Sequence, residues 1–295
     1  MEWYVFALLA PAFWAMNNVF IKFLITKKFQ SYFATIFTVV FMDAIFALGV
    51  FALVPIAVSF PYSVIGLLAG LMPLAGFWFY SKALLKEEVT RIITLFQLIP
   101  VFVVLLSVIF LDEVLWVQKY LGISLIVVAS MLISYRESGG KPFSNALKFM
   151  VPFGVIIACY TISDKILLGY LDFCSLFFWN IIGTFCGALL LLSLPRLRRE
   201  TVKAVVGAGK KAVLTTFIGE GLYVAGTLCS LVALSLVNAS LASSLFGLQP
   251  FFVFFYTLFL SIFLPNILKE EINKSIVSLK ISAITLMFIG TWFVI

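Results

Sequence analysis

Ten continuously apolar stretches, each near the roughly 20 residues a bilayer-spanning helix requires, follow one another along the 295-residue chain at 3–25, 33–54, 63–83, 91–111, 116–134, 149–169, 173–194, 212–236, 240–264 and 277–295. Within each stretch the apolar positions run together and do not alternate, which predicts helices and excludes barrel strands. Lipid offers no hydrogen bonds to a polypeptide backbone, so segments of this kind must satisfy their own N–H and C=O groups as helices. The expected fold is all-α: a polytopic membrane protein with ten transmembrane helices.

The pattern repeats. Leu95-Phe96-Gln97-Leu98-Ile99-Pro100-Val101-Phe102-Val103 returns as Leu245-Phe246-Gly247-Leu248-Gln249-Pro250-Phe251-Phe252-Val253, an offset of 150 positions (245 − 95). The same offset pairs Ala75-Gly76 with Ala225-Gly226 and Ala83-Leu84 with Ala233-Leu234. Three registers at one offset predict two homologous halves, residues 1–140 and 144–295. Five spans per half is an odd number, so the second half enters the membrane from the opposite side and the repeats are inverted about an axis in the membrane plane.

Composition sharpens this. Apolar residues make up 63% of the chain and charged residues 11%, against roughly 25% charged in soluble domains. The net charge of +7 lies in short loops, so it reads as topology and not as nucleic-acid binding. Loops after odd-numbered spans, with their flanks, hold 17 of the 20 Lys and Arg, and loops after even-numbered spans hold only Lys119. The positive-inside rule then puts the odd loops in the cytoplasm and both termini outside. The basic stretch Arg196 to Lys211 reads as a short surface helix against anionic headgroups. No histidine is present, and Cys159, Cys174, Cys186 and Cys229 have no paired spacing. They read as small buried apolar residues, with no disulfide, metal site or cofactor expected. No constellation of nucleophile, acid/base pair or metal ligands suggests an enzyme.

Ionisable residues at membrane depth are costly enough to carry a functional hypothesis. Asp43, Asp164, Lys165 and Glu220 fall inside predicted spans. Glu220, Asp43 and Asp164 are the candidate proton carriers, with buried structural pairing as the competing role. Trp14, Asn18 and Lys22 share one helical face at four-residue spacing, and Tyr160 and Asp164 repeat the aromatic-then-polar pair at an offset of 146 (160 − 14). Such a stripe can hold an amphipathic solute by stacking and hydrogen bonding, or serve helix packing. Lys22 lies close enough to the end of its span to snorkel. Gln97 and Gln249 stand beside Pro100 and Pro250, and proline-interrupted segments at corresponding positions of two halves point to a transporter's central site. The candidate substrate-binding set is therefore Trp14, Asn18, Gln97, Tyr160, Asp164, Glu220 and Gln249, with Pro100 and Pro250 as the candidate hinges.

These residues also carry a family resemblance. Trp14-Ala15-Met16-Asn17 with Lys22, Tyr80 with Ala83-Leu84, Pro100, Leu111-Asp112-Glu113 followed by Gly122, then Ala233-Leu234, Pro250 and Glu270-Glu271 make the chain similar to the EamA-like members of the drug/metabolite transporter superfamily. The resemblance implies export or exchange of small metabolites such as amino acids, often driven by an ion gradient, through a cavity between two five-helix halves. The expected function is a secondary transporter of amino acids or related amphipathic solutes, working by alternating access in the plasma membrane, with protons as the candidate coupling ion. The expected partners are the solute and membrane lipids, with no nucleic acid, for a chain acting as a monomer or homodimer. An organic-phosphate or nucleotide-sugar exchanger, or a non-transporting scaffold or lipid scramblase, is the alternative; a phosphate exchanger would want two or more cavity cations, for which only Lys165 and Lys22 are placed.

Overall fold

The structure, a computed structural model, describes residues 2–24, 28–29, 31–84, 95–134, 146–263 and 274–295. The Lys22 side chain and the pair Glu270-Glu271 lie outside what it describes. Twelve helices are defined: α1 Trp3–Leu24, α2 Tyr32–Leu53, α3 Tyr62–Ala69, α4 Leu71–Leu84, α5 Leu98–Leu111, α6 Val117–Ser134, α7 Leu147–Leu167, α8 Phe173–Leu192, α9 Pro195–Leu236, α10 Ala239–Phe246, α11 Gln249–Phe263 and α12 Lys274–Val294. No strand occurs among the described residues. Among the described residues, seven segments are long and apolar enough to span a bilayer, and three shorter apolar ones, Leu98–Leu111, Val117–Leu132 and Ile281–Val294, bring the number to the ten expected.

Local chemistry sets the ends. Ser31 caps α2 by accepting from Ala34 N at 3.3 Å, and Asp172 caps α8 by accepting from Cys174 N and Ser175 N, both at 3.0 Å, so one of the N–H groups left over at the start of α2 and two at the start of α8 find side-chain partners. The third span is divided at Gly70 into α3 and α4, and the ninth at Gly247-Leu248 into α10 and α11. Pro250 is the second residue of α11 and Pro100 the third of α5. There the missing proline N–H had no intrahelical acceptor to lose, so each proline begins a helix just after an interruption.

Packing runs between the sequence halves more than within them. α1 packs along α9, and α4 along α7; α2 meets α9 as α3 meets α8; α6 crosses α12. The α3/α4–α8 crossing depends on glycine. A Cβ on Gly183 would drive into the carbonyl oxygen of Leu67, and one on Gly70 into that of Asn180. Backbone cannot yield as a side chain can, so Gly183→Ala is expected to remove most of the folded, detergent-stable population, while Gly49→Ala, with nothing within 4 Å of the new methyl, leaves it at the wild-type level. Size-exclusion chromatography of fluorescently tagged protein reads both.

The cysteines correct one expectation. All four are free, but Cys159, Cys174 and Cys229 are only half-buried and Cys186 is exposed. An apolar position in a membrane helix is as well satisfied by lipid as by a protein core, so apolarity there does not imply burial.

Candidate functional site

The interior polar groups gather along one face of α9, where Glu220, Tyr223 and Thr227 recur at helical spacing. α1 lies against this face because α9 makes room for it. Gly226 leaves the slot that the Trp14 ring fills, and Gly219 leaves the slot that receives Asn17, whose Oδ1 would stand 3.0 Å from a Cβ there. Trp14 Nε1 donates to Thr227 Oγ1 at 3.3 Å, and its ring meets Phe246 edge-on at 5.4 Å. The buried amide of this stretch is Asn17; Asn18 is exposed.

Two acid clusters flank Tyr223. In the first, Asp43 of α2 and Glu220 of α9 have adjacent carboxyl groups, with Asn17 of α1 beside Glu220. Glu220 is 0% exposed and Asp43 5%. Both oxygens of Glu220, Oδ1 of Asp43 and Oδ1 of Asn17 lack a partner at hydrogen-bond geometry, so the groups touch without settling into ordinary bonds. Their neighbours among the described residues include no cation. In the second cluster, Asn180 of α8 donates from Nδ2 to Asp164 Oδ1 at 2.8 Å and to the Tyr160 hydroxyl at 3.0 Å. Asn180 Oδ1 has no partner. Tyr223 lies near Asp43, Glu220 and Asp164 and contacts Thr227.

Lys165, next to Asp164 in sequence, points elsewhere: its Nζ donates to the carbonyls of Leu234 at 2.6 Å and Val237 at 2.8 Å, closing the end of α9. Glu113 at the end of α5 is an N-terminal cap for a helix of the other half, accepting from Ala239 N at 2.8 Å, Ser240 N at 3.1 Å and Ser240 Oγ at 2.6 Å. Gln97 is buried and donates from Nε2 to the Gly247 carbonyl at 3.3 Å, which Ser130 Oγ also reaches at 2.7 Å; Gln249 is half-buried. Of the residues singled out in sequence, the fold thus brings together Asp43 with Glu220 and Tyr160 with Asp164, and it sets Trp14 on Thr227. Asn180 was missed, although a lone amide in an otherwise apolar span is itself the signal that would have found it.

Residues 1–135 match the EamA-like transporter family. The first half is EamA-like. That match implies a transporter of small solutes of the drug/metabolite type, and with seven bilayer-length helices it indicates an integral membrane protein. No curated protein matches the chain in sequence. A solved crystal structure superposes with a TM-score of 0.71 over 98% of this chain and 94% of its own, at 14% identity. That likeness shows the fold, and it extends past the EamA-like segment through the second half.

Proposed function

We propose that the chain is a secondary active transporter that moves small amphipathic metabolites, amino acids first among them, by alternating access between inverted halves at 1–140 and 144–295, with Asp43 and Glu220 as its proton-carrying pair. The observation that carries this reading is the pair itself. Two carboxyl groups in contact, shut away from water and with no cationic neighbour among the described residues, repel each other if both are ionised, which is the setting in which an acid pair can take up and release a proton. The polar groups closest to the pair are the Asn17 amide and the neutral Tyr223 hydroxyl, the latter also lying towards Asp164. A structural role would be expected to give these acids hydrogen-bond partners, and the free oxygens suit groups that gain and lose a proton.

Inverted symmetry is supported by a self-contact. Gln97 and Gly247, equivalent at the 150-residue offset, touch each other, as a pair near a two-fold axis must. The proposed solute site is the region bounded by Trp14, Gln97, Tyr160, Asp164, Glu220 and Gln249, with the inward-facing Asn17 in place of the exposed Asn18 and with Asn180 and Tyr223 added. Lys165 has its ammonium committed to two carbonyls, which disfavours organic phosphates as cargo.

The test is a thermal-shift screen of metabolites on purified protein, then counterflow in proteoliposomes with each compound that shifts it. Saturable exchange that responds to a pH gradient is the expected result. Lipid flipping without solute exchange, or no flux with any stabilising compound, would overturn the proposal in favour of a scramblase or scaffold.

A further inference from the structure

The longest helix, α9, holds a feature that solute transport does not use. At Gly209 the backbone takes φ +77° and ψ 172°, a conformation only glycine adopts freely, and the helix turns an elbow between a basic segment, 195–208, and the span that carries Glu220. The elbow is pinned on its inner side. Glu200 accepts a hydrogen bond from Ser31 Oγ at 2.8 Å, Leu197 packs on Phe37, Val40 and Ala188, and Val205 and Ala208 pack on Leu24, Phe29 and Ala212. Its outer side is open: a groove of about 580 Å³ lies between α9 and α2, walled by Met42, Ile45, Val206, Leu214 and Phe217, with Lys210 at its rim. Val206 is 77% exposed and Leu214 60%.

We infer that this groove is a binding site for one anionic phospholipid, its acyl chain lying on the apolar wall and its phosphate held at the Lys210-Lys211 end. The chemistry of the two ends is the argument. The walls offer a hydrocarbon almost nothing but hydrocarbon, and the groove is open along its outer side to the surrounding lipid. The exposed Arg196, Arg198, Arg199, Lys203, Lys210 and Lys211 supply the positive field that selects a negative headgroup. A zwitterionic lipid would fill the same walls but gain little from that field. The elbow is fixed by bonds on its inner face, so the groove is preformed and little ordering is lost when a lipid enters it.

The test uses the full-length protein in detergent, with dioleoyl phosphatidylglycerol and dioleoyl phosphatidylcholine compared for retention in native mass spectrometry and for shift of the melting temperature. Phosphatidylglycerol should be retained at one copy and raise the melting temperature, and phosphatidylcholine should do neither. Lys210→Gln with Lys211→Gln should weaken phosphatidylglycerol by about 25-fold, at about fivefold per charge near an anionic headgroup. Val206→Trp, which fills the groove and keeps every charge, should abolish retention of the single copy. Equal retention of the two lipids would overturn the inference by reducing the groove to ordinary annular contact. Loss in the lysine variant with full retention in Val206→Trp would overturn it equally, because the basic segment alone would then be binding.

Discussion

Glu220→Gln should abolish accumulation driven by a pH gradient and leave the protein folded. One pH unit is worth about 1.4 kcal/mol per proton, so a transporter exchanging one proton per solute reaches about a tenfold solute ratio across it. With the carboxyl gone the expected ratio is about one, while counterflow, which needs no net driving force, persists. Stability separates this from simple damage. Neither oxygen of Glu220 has a hydrogen-bond partner to lose, and an amide beside Asp43 replaces a like-charged neighbour with a donor, so the melting temperature should hold or rise. Asp43→Asn should give the same pattern in weaker form, since Glu220 alone can still take up a proton. Asp164→Asn keeps the acid pair intact and should keep the drive. Proteoliposomes loaded with labelled solute under an imposed gradient of one pH unit measure all three; a tenfold ratio surviving in Glu220→Gln would remove the pair from the coupling mechanism.

What could be read in the chain beforehand divides along a physical line. Bilayer thickness fixes span length, so α1 was expected at 3–25 and stands at Trp3–Leu24, and α8 was expected at 173–194 and stands at Phe173–Leu192. The surface helix expected at 196–211 and the span expected at 212–236 are both present, but as one helix bent at Gly209; the sequence held the glycine without saying which φ it would take. Side-chain direction was less legible. Asn17 and Asn18 are chemically identical and about 100° apart on a helix, and only the glycine slots of α9 decide that Asn17 turns inward. Depth in the membrane was legible for Asp43 and Glu220 separately. That they would meet depended on α2 packing against α9 across most of the chain, which no local pattern encodes. Glu113 stands just past the end of α5 in the chain, but the helix it caps begins at Ala239 in the other half.

Loss of that cap should lower stability by several kilocalories per mole without forcing any backbone apart. Glu113 is 7% exposed and uses both oxygens to satisfy two backbone N–H groups and one hydroxyl at the start of α10. The Ser240 hydroxyl also lies 2.6 Å from Ser107 Oγ, which joins α5 to α10 a second time. A glutamine in its place keeps one acceptor oxygen and turns an NH2 group toward a donor, leaving at least one buried N–H unpaired; the negative charge beside Lys165 is lost as well. Hydrogen bonds to charged groups contribute about 1.5–3 kcal/mol each and N-terminal caps about 1 kcal/mol, so Glu113→Gln should cost about 2–4 kcal/mol. Ser240→Ala removes one of the three bonds and should cost about 1–2 kcal/mol. Because the two side chains share a bond, the double variant should be less destabilised than the sum of the single ones, by about 1 kcal/mol. Thermal unfolding of the purified protein in one detergent, with all variants at equal concentration, provides the comparison. A melting temperature for Glu113→Gln within a degree of wild type would mean that the carboxylate is not what holds the first half's α5 to the second half's α10.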